Sequence, residues 1–146
     1  MLFLNLLTMA TQILIVDDDV DDIQVLTDGL LEVDPGIECQ SALDGEKAMS
    51  LLRSGLSYIP DYIFLDLNMP KISGKQVLVQ LKKDLRLKDI PVIIYTTSNF
   101  DRDQEEAFLL GAKHFITKPT SLKELHNAIV VVLSQRWEKV PVDPII

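Results

Sequence analysis

The chain has little of several features on which large classes of protein depend. Its 146 residues include a single cysteine, Cys39, and 14 lysines and arginines against 22 aspartates and glutamates. One cysteine excludes an intramolecular disulfide and fits a reducing compartment, so a cytoplasmic location is expected. The net charge of −8 disfavours direct contact with nucleic-acid phosphates. No apolar run reaches the roughly 20 residues of a membrane span, so no membrane insertion is expected.

The composition is that of one globular domain. Hydrophobic residues make up 47% and charged residues 25% of the chain, and its length suits a single core. Residues 11–138 are expected to form that domain, followed by a short tail at 139–146 without an output domain. Residues 1–10 are apolar but have no basic residue before the apolar run, which is a poor signal peptide. They are interpreted as an extension, either from an upstream start site or as a short helix that packs on a neighbour.

Short apolar runs alternate with longer amphipathic segments along the domain. The predicted strands are residues 12–16, 37–41, 62–65, 91–95 and 114–116. The predicted helices are residues 19–33, 46–53, 73–85, 101–110 and a last one from Ser121 to about Trp137, with Ser121 and Glu124 as a capping box. Strict alternation predicts a parallel sheet with helices on both faces, which is a doubly wound α/β fold.

Polar side chains follow four of these strands at the edge where such folds bind ligands. They are Asp17, Asp18 and Asp19 after the first strand, Asp66 and Asn68 after the third, Thr96 after the fourth and Lys118 after the fifth. Because parallel strands share one carboxyl edge, these side chains are expected to lie close together.

The acids of this set suggest a metal. Asp17, Asp18 and Asp66 would repel one another if placed together, and Mg²⁺, which prefers hard oxygen ligands, would relieve that repulsion. The alternative is that the acids only cap the following helix, where negative charge favours the helix dipole. That role is expected for Asp19.

Asp66 is the candidate phosphate acceptor. A carboxylate can attack phosphorus and form an acyl phosphate, whose charged oxygens then need a metal and a cation. Lys118 can supply the cation, and Thr96 can donate a hydroxyl hydrogen bond. Alone, Lys118 would be a solvated loop lysine and Thr96 a strand-end hydroxyl, so the prediction depends on their joint placement.

At these positions the sequence resembles the receiver domain of two-component response regulators. The matching segments are ILIVDDD, YIFLDLNMPKISG, PVIIYTTS and FITKPT, within residues 12–134. The resemblance implies a five-stranded flavodoxin-like (βα)5 fold with strand order 2-1-3-4-5 and phosphorylation at Asp66. It also implies direct Mg²⁺ ligation by Asp18, Asp66 and the backbone carbonyl of Asn68, with Asp17 acting through water.

The same resemblance assigns the switch. Its hydroxyl falls on Thr96, its lysine on Lys118 and its aromatic residue on Phe115, and the family often has a cis peptide before the proline matching Pro119. Two features depart from the common pattern. The aromatic residue is Phe rather than Tyr, and Thr97 stands where many relatives have a small residue.

The resemblance therefore implies a stand-alone receiver rather than an enzyme beyond its own phosphorylation and slow dephosphorylation. A sensor histidine kinase or a histidine phosphotransfer protein would supply the phosphoryl group. An unidentified protein would read the changed surface, and homodimerisation is possible.

Two other classes of function are weighed against this one. A Mg²⁺-dependent aspartyl-phosphate phosphohydrolase would commonly have a second acid where Asn68 stands. A nucleotide- or flavin-binding domain would have a glycine-rich loop after the first strand, where this chain has acids.

Overall fold

The computed structural model describes residues 10–54 and 58–135, and in them five parallel strands form one sheet in the order β2-β1-β3-β4-β5. The strands are β1 Gln12–Val16, β2 Glu38–Ala42, β3 Tyr62–Leu65, β4 Val92–Thr96 and β5 His114–Thr117. The helices are α1 Val20–Val33, α2 Gly45–Ser54, α3 Gly74–Lys83, α4 Asp101–Leu109 and α5 Leu122–Ser134. The predicted doubly wound fold and its strand order are confirmed.

The sheet has a hydrophobic core on each face because successive side chains of a strand point to opposite sides. In β1, Leu14 and Val16 belong to one core and Ile13 and Ile15 to the other, and all four are at most 1% exposed. Continuous apolar runs of this kind are typical of strands covered on both faces. The edge strand β2 has exposed polar residues instead.

Capping residues set where the helices begin. Asp19 caps α1 as predicted, accepting hydrogen bonds from the backbone N–H groups of Asp21 and Asp22. Ser121 accepts from the backbone N–H of Glu124 at the start of α5. A complete capping box, with bonds in both directions, is formed by Ser73 and Gln76 at the start of α3. These caps place the first helical residue one position after the predicted start of α1 and α3.

The remaining predictions for chain ends and backbone are partly outside the described residues. The extension, Trp137 and the C-terminal tail lie there, apart from Ala10. In the ranges 10–54 and 58–135, no helix is long and apolar enough to cross a membrane. These ranges also contain no cis peptide bond, so the bond before Pro119 is trans.

Candidate functional site

The strand register brings the predicted polar residues to one edge of the sheet. Val16 pairs with Leu65 across β1 and β3, and each is followed directly by a site aspartate, Asp17 or Asp66. On the other side, Thr96 at the end of β4 pairs with Thr117 of β5, directly before Lys118. Asp17, Asp66, Thr96 and Lys118 therefore lie at the carboxyl ends of four neighbouring strands. This is the edge at which open α/β sheets bind their ligands.

Three carboxylates form a cluster at this edge. Asp17, Asp18 and Asp66 each place one oxygen within 4.8 Å of the other two. Asp17 is 1% exposed and Asp66 is 5% exposed, whereas Asp18 lies at the surface. Like charges this close, two of them removed from water, are costly without a compensating cation.

The environment of Asp17 fits a divalent cation. Its Oδ1 accepts a hydrogen bond from the backbone N–H of Asp19 at 2.9 Å, and its buried Oδ2 faces the ammonium of Lys118 at 2.8 Å. Burial is the main cause that raises the pKa of Asp17, which means that its charged form is less favourable here than in water. A hard cation such as Mg²⁺ takes carboxylate oxygens of this kind as ligands. The donor set of the cluster therefore fits the metal predicted from the sequence.

Lys118 provides the positive charge of the site. Its Nζ lies 2.8 Å from Asp17 Oδ2, 2.7 Å from Asp22 Oδ2 and 3.7 Å from Asp66 Oδ2. Burial alone would lower the pKa of Lys118, but its hydrogen bonds with Asp17 and Asp22 outweigh burial and raise it. The ammonium group therefore stays charged at every physiological pH and lies beside the candidate acceptor.

The loop after β3 fixes the orientation of Asp66. The backbone N–H of Asn68 lies 3.3 Å from Asp66 Oδ1, to which it donates. Gly74 N donates to the carbonyl of Leu67 at 3.0 Å, which folds the loop back onto the strand end. Ligation of a metal by the carbonyl of Asn68 remains a prediction.

Thr96 is fully buried at the end of β4, and Thr97 beside it is exposed. Thr96 Oγ1 accepts from the backbone N–H of Ser98 at 3.4 Å, and its carbonyl accepts from Lys118 N at 2.6 Å. The hydroxyl of Thr96 therefore already has a hydrogen-bond partner, Ser98 N, in the loop that follows β4. The assignment of the switch hydroxyl to Thr96 stays a prediction.

Ser98 links that loop to the neighbouring helices. Its Oγ donates to Asp103 Oδ2 at 2.5 Å, and Asp103 in turn accepts from Lys75 Nζ at 2.7 Å. Lys75 also donates to Glu106 at 2.6 Å. A continuous chain of polar contacts therefore connects Thr96 on the sheet to α4 and α3.

Two residues beside Lys118 were not predicted from the sequence, whereas Phe115 lies on β5 as predicted. Asp22 makes the shortest ion pair of Lys118. The ring of Tyr95 lies beside the same ammonium group, with 5.7 Å between Nζ and the ring centroid. Burial raises the pKa of Tyr95 to about 12. Phe115 is partly buried and pairs with Ile94 of β4.

Comparison with known proteins gives the same picture. Residues 13–130 match the family described as "Response regulator receiver domain". Response regulator Rcp1 of Synechocystis is 33% identical over 121 residues, which cover 80% of this chain and 82% of Rcp1. The transcriptional regulator RpaA of Synechocystis is 37% identical over 130 residues, covering 89% of this chain but 52% of RpaA. The chain thus spans about half the length of several curated relatives that it matches.

Solved structures agree with the sequence relatives. The phosphorylated cyanobacterial phytochrome response regulator RcpA has a TM-score of 0.77 and 32% identity, over 84% of this chain and 91% of RcpA. The Mn²⁺-bound form of Rcp1 has a TM-score of 0.75 and 32% identity, over 85% of this chain and 92% of Rcp1. The fold, the edge cluster of acids and the match over residues 13–130 lead to one assignment: the chain belongs to the receiver domain family of two-component response regulators.

Proposed function

We propose that this chain is a phosphorylation-dependent signalling receiver in which Asp66 accepts the phosphoryl group. The observation that carries the proposal is the position of the Asp66 carboxylate, buried between two further aspartates and 3.7 Å from the ammonium of Lys118. A carboxylate in this setting is shielded from water and faces the charges that an acyl phosphate needs.

In the proposed transfer, an oxygen of Asp66 attacks the phosphorus of a phosphohistidine on a histidine kinase or phosphotransfer protein. The bond between phosphorus and the histidine nitrogen breaks, and its electron pair stays on the imidazole. Asp17, Asp18 and Asp66 would hold Mg²⁺, which supplies positive charge to the phosphoryl oxygens when bound. Lys118 binds one of those oxygens, and the backbone N–H of Asn68 orients the attacking carboxylate.

The output of the switch is proposed to be a change at the β4–α4 loop. A phosphoryl group on Asp66 offers a new acceptor to the hydroxyl of Thr96, which now accepts from Ser98 N. If Thr96 turns toward the phosphate, Ser98 and its bond to Asp103 must readjust, and Phe115 gains room to move inward. This is a two-state surface biased by a new charge. A partner protein would read that surface, with the chain working in the cytoplasm.

Enzymatic turnover of phosphate esters is less well supported. A phosphohydrolase of the aspartyl-phosphate type needs a proton donor near the leaving group, and Asn68, which stands two residues after Asp66, cannot transfer a proton. We therefore expect single, stoichiometric phosphorylation followed by slow hydrolysis.

Intact-protein mass spectrometry tests the acceptor directly. With acetyl phosphate and Mg²⁺, the protein should gain the mass of one phosphoryl group, and the Asp66→Asn variant should gain none. Asp28→Asn, which neutralises an exposed aspartate on α1, is the matched control and should label like the wild type. Equal labelling of Asp66→Asn and the wild type would refute the proposal. Continuous release of phosphate without a labelled protein would favour the hydrolase.

A further inference from the structure

The ammonium of Lys118 is held by an acid that the metal cluster does not include. Asp22 Oδ2 lies 2.7 Å from Lys118 Nζ, an angstrom closer than Asp66 Oδ2 at 3.7 Å. The contact joins the first turn of α1 to the loop after β5, and its two residues are 96 positions apart in the chain. The side chain of Lys118 is 11% exposed and that of Asp22 is 36% exposed, so the pair is only partly screened by water.

From this geometry we propose that Asp22 is a positioning residue, which holds Lys118 in the unphosphorylated site and competes with phosphorylated Asp66 for its ammonium group. The inference rests on the proposed function of Asp66. Asp22 opposes phosphorylation, so that α1 contributes to the free-energy difference between the unphosphorylated and phosphorylated states.

The competition follows from the two carboxylates that already hold the ammonium group. An ammonium group has three N–H donors, and two of the Lys118 contacts are already short, to Asp17 and to Asp22. A phosphoryl group on Asp66 adds strong acceptors on the side where Lys118 now has its longest contact. An ammonium group that shifts toward these acceptors lengthens its contact with Asp22.

Asp22 and Asp17 differ in what happens to them when a metal binds. Asp17 is a member of the carboxylate cluster, so a cation there compensates its charge. Asp22 stands outside that cluster, and its carboxylate keeps attracting Lys118 while also repelling the incoming phosphoryl oxygens. Both effects have the same sign, because neutralising Asp22 frees Lys118 and removes one negative charge near the phosphate.

The test uses beryllofluoride, which mimics a phosphoryl group on a carboxylate, with Mg²⁺ and the full chain in isothermal titration calorimetry. Asp22→Asn keeps the size and an oxygen acceptor but removes the charge, and we expect it to bind beryllofluoride about twofold to tenfold more tightly than the wild type. Asp21→Asn is the matched control because Asp21 is its neighbour, exposed, and makes the same change in net charge. That control should differ from the wild type by less than about twofold.

Separate outcomes decide the two proposals. Beryllofluoride affinity of Asp22→Asn equal to that of Asp21→Asn, or weaker than that of the wild type, overturns the role of Asp22 and leaves Asp66 as acceptor. Asp22→Ala must shift the affinity in the same direction as Asp22→Asn, and weaker binding by the alanine variant also overturns it. Titration with Mg²⁺ alone should show unchanged or weaker binding in Asp22→Asn, since a lost carboxylate cannot attract a cation. If the folded wild type binds no beryllofluoride, the proposed function fails and the role of Asp22 fails with it.

Discussion

Gly74 lies directly against the backbone carbonyl of Asp66. A Cβ at position 74 would overlap that carbonyl and would come within 2.7 Å of Leu67 Cα, closer than real Cβ contacts come. The first residue of α3 is therefore packed onto the loop that orients the candidate acceptor, and only glycine fits there without moving it.

Gly74→Ala is expected to disturb both stability and phosphorylation. The added methyl group must push the loop after Asp66 away from α3, at a cost of about 1–3 kcal/mol in the free energy of unfolding. Urea denaturation measures this loss, and acetyl phosphate labelling should become slower. Gly36→Ala is the control, because a Cβ there would meet only a side-chain oxygen of Asp34 at 3.3 Å. Equal effects of the two variants would contradict a specific role for Gly74.

Asp17 and Asp18 should respond differently to neutralisation. The pKa of Asp17 is raised above its ordinary value of 3.8, mainly by burial, so its charged form costs stability once the pH rises through the folded-state pKa. Without Mg²⁺, Asp17→Asn should therefore raise the free energy of unfolding at pH 7, and this gain should vanish near pH 3. Asp18→Asn, at an exposed position, should leave stability unchanged.

The wild type and these two variants should also differ in how far Mg²⁺ stabilises them. Metal binding stabilises only a folded protein that can hold it, so millimolar Mg²⁺ should raise the melting temperature of the wild type more than that of either variant. An Asp17→Asn protein that is less stable than the wild type in EDTA would show that the carboxylate is well compensated by Lys118 without metal.

The fold could be predicted from the sequence because its signals are local. Alternating apolar runs and amphipathic segments require crossovers between parallel strands, and acids, hydroxyls and a lysine at strand ends then share one edge. Caps such as Asp19 and Ser121 were readable from residue type and spacing. The strand order itself came from the family resemblance.

The site could be predicted only in part because its contacts are long-range. No local pattern reveals that Lys118 makes its shortest ion pair with Asp22, 96 residues away in the chain, or that Tyr95 lies under its ammonium. The link from Ser98 through Asp103 to Lys75 likewise depends on how α3 and α4 pack. Such details follow from side-chain geometry, which residue type and spacing do not determine.

The Lys75–Asp103 contact should restrain α4. The hydrogen bond from Lys75 is the main cause that lowers the pKa of Asp103, followed by that from Ser98. A lowered carboxyl pKa contributes stability above the ordinary value of 3.8, and this contribution is lost as the pH falls through the folded-state value. Lys75→Met should therefore speed amide hydrogen exchange in the hydrogen-bonded part of α4, residues 105–109, about twofold to fivefold at pH 6–7, with a smaller difference near pH 3.

Lys83→Met is the matched control for that experiment. Lys83 is exposed in the last turn of α3, the helix that also carries Lys75. Exchange in α4 should be unchanged in this variant. If both variants speed exchange equally, loss of surface charge rather than the contact with Asp103 is the cause.

Thr96 and Thr97 provide a paired test of the switch. Thr96→Val preserves the shape of a fully buried side chain but removes the hydroxyl that accepts from Ser98 N at 3.4 Å. We expect Asp66 to be labelled still, because the acids and Lys118 are intact, while phosphorylation should no longer change hydrogen exchange in residues 97–103. In Thr97→Val, whose side chain is exposed, both the labelling and the change in exchange should persist. The opposite pattern, with coupling lost only in Thr97→Val, would show that the phosphate is sensed by the exposed hydroxyl and that the Thr96–Ser98 contact is structural.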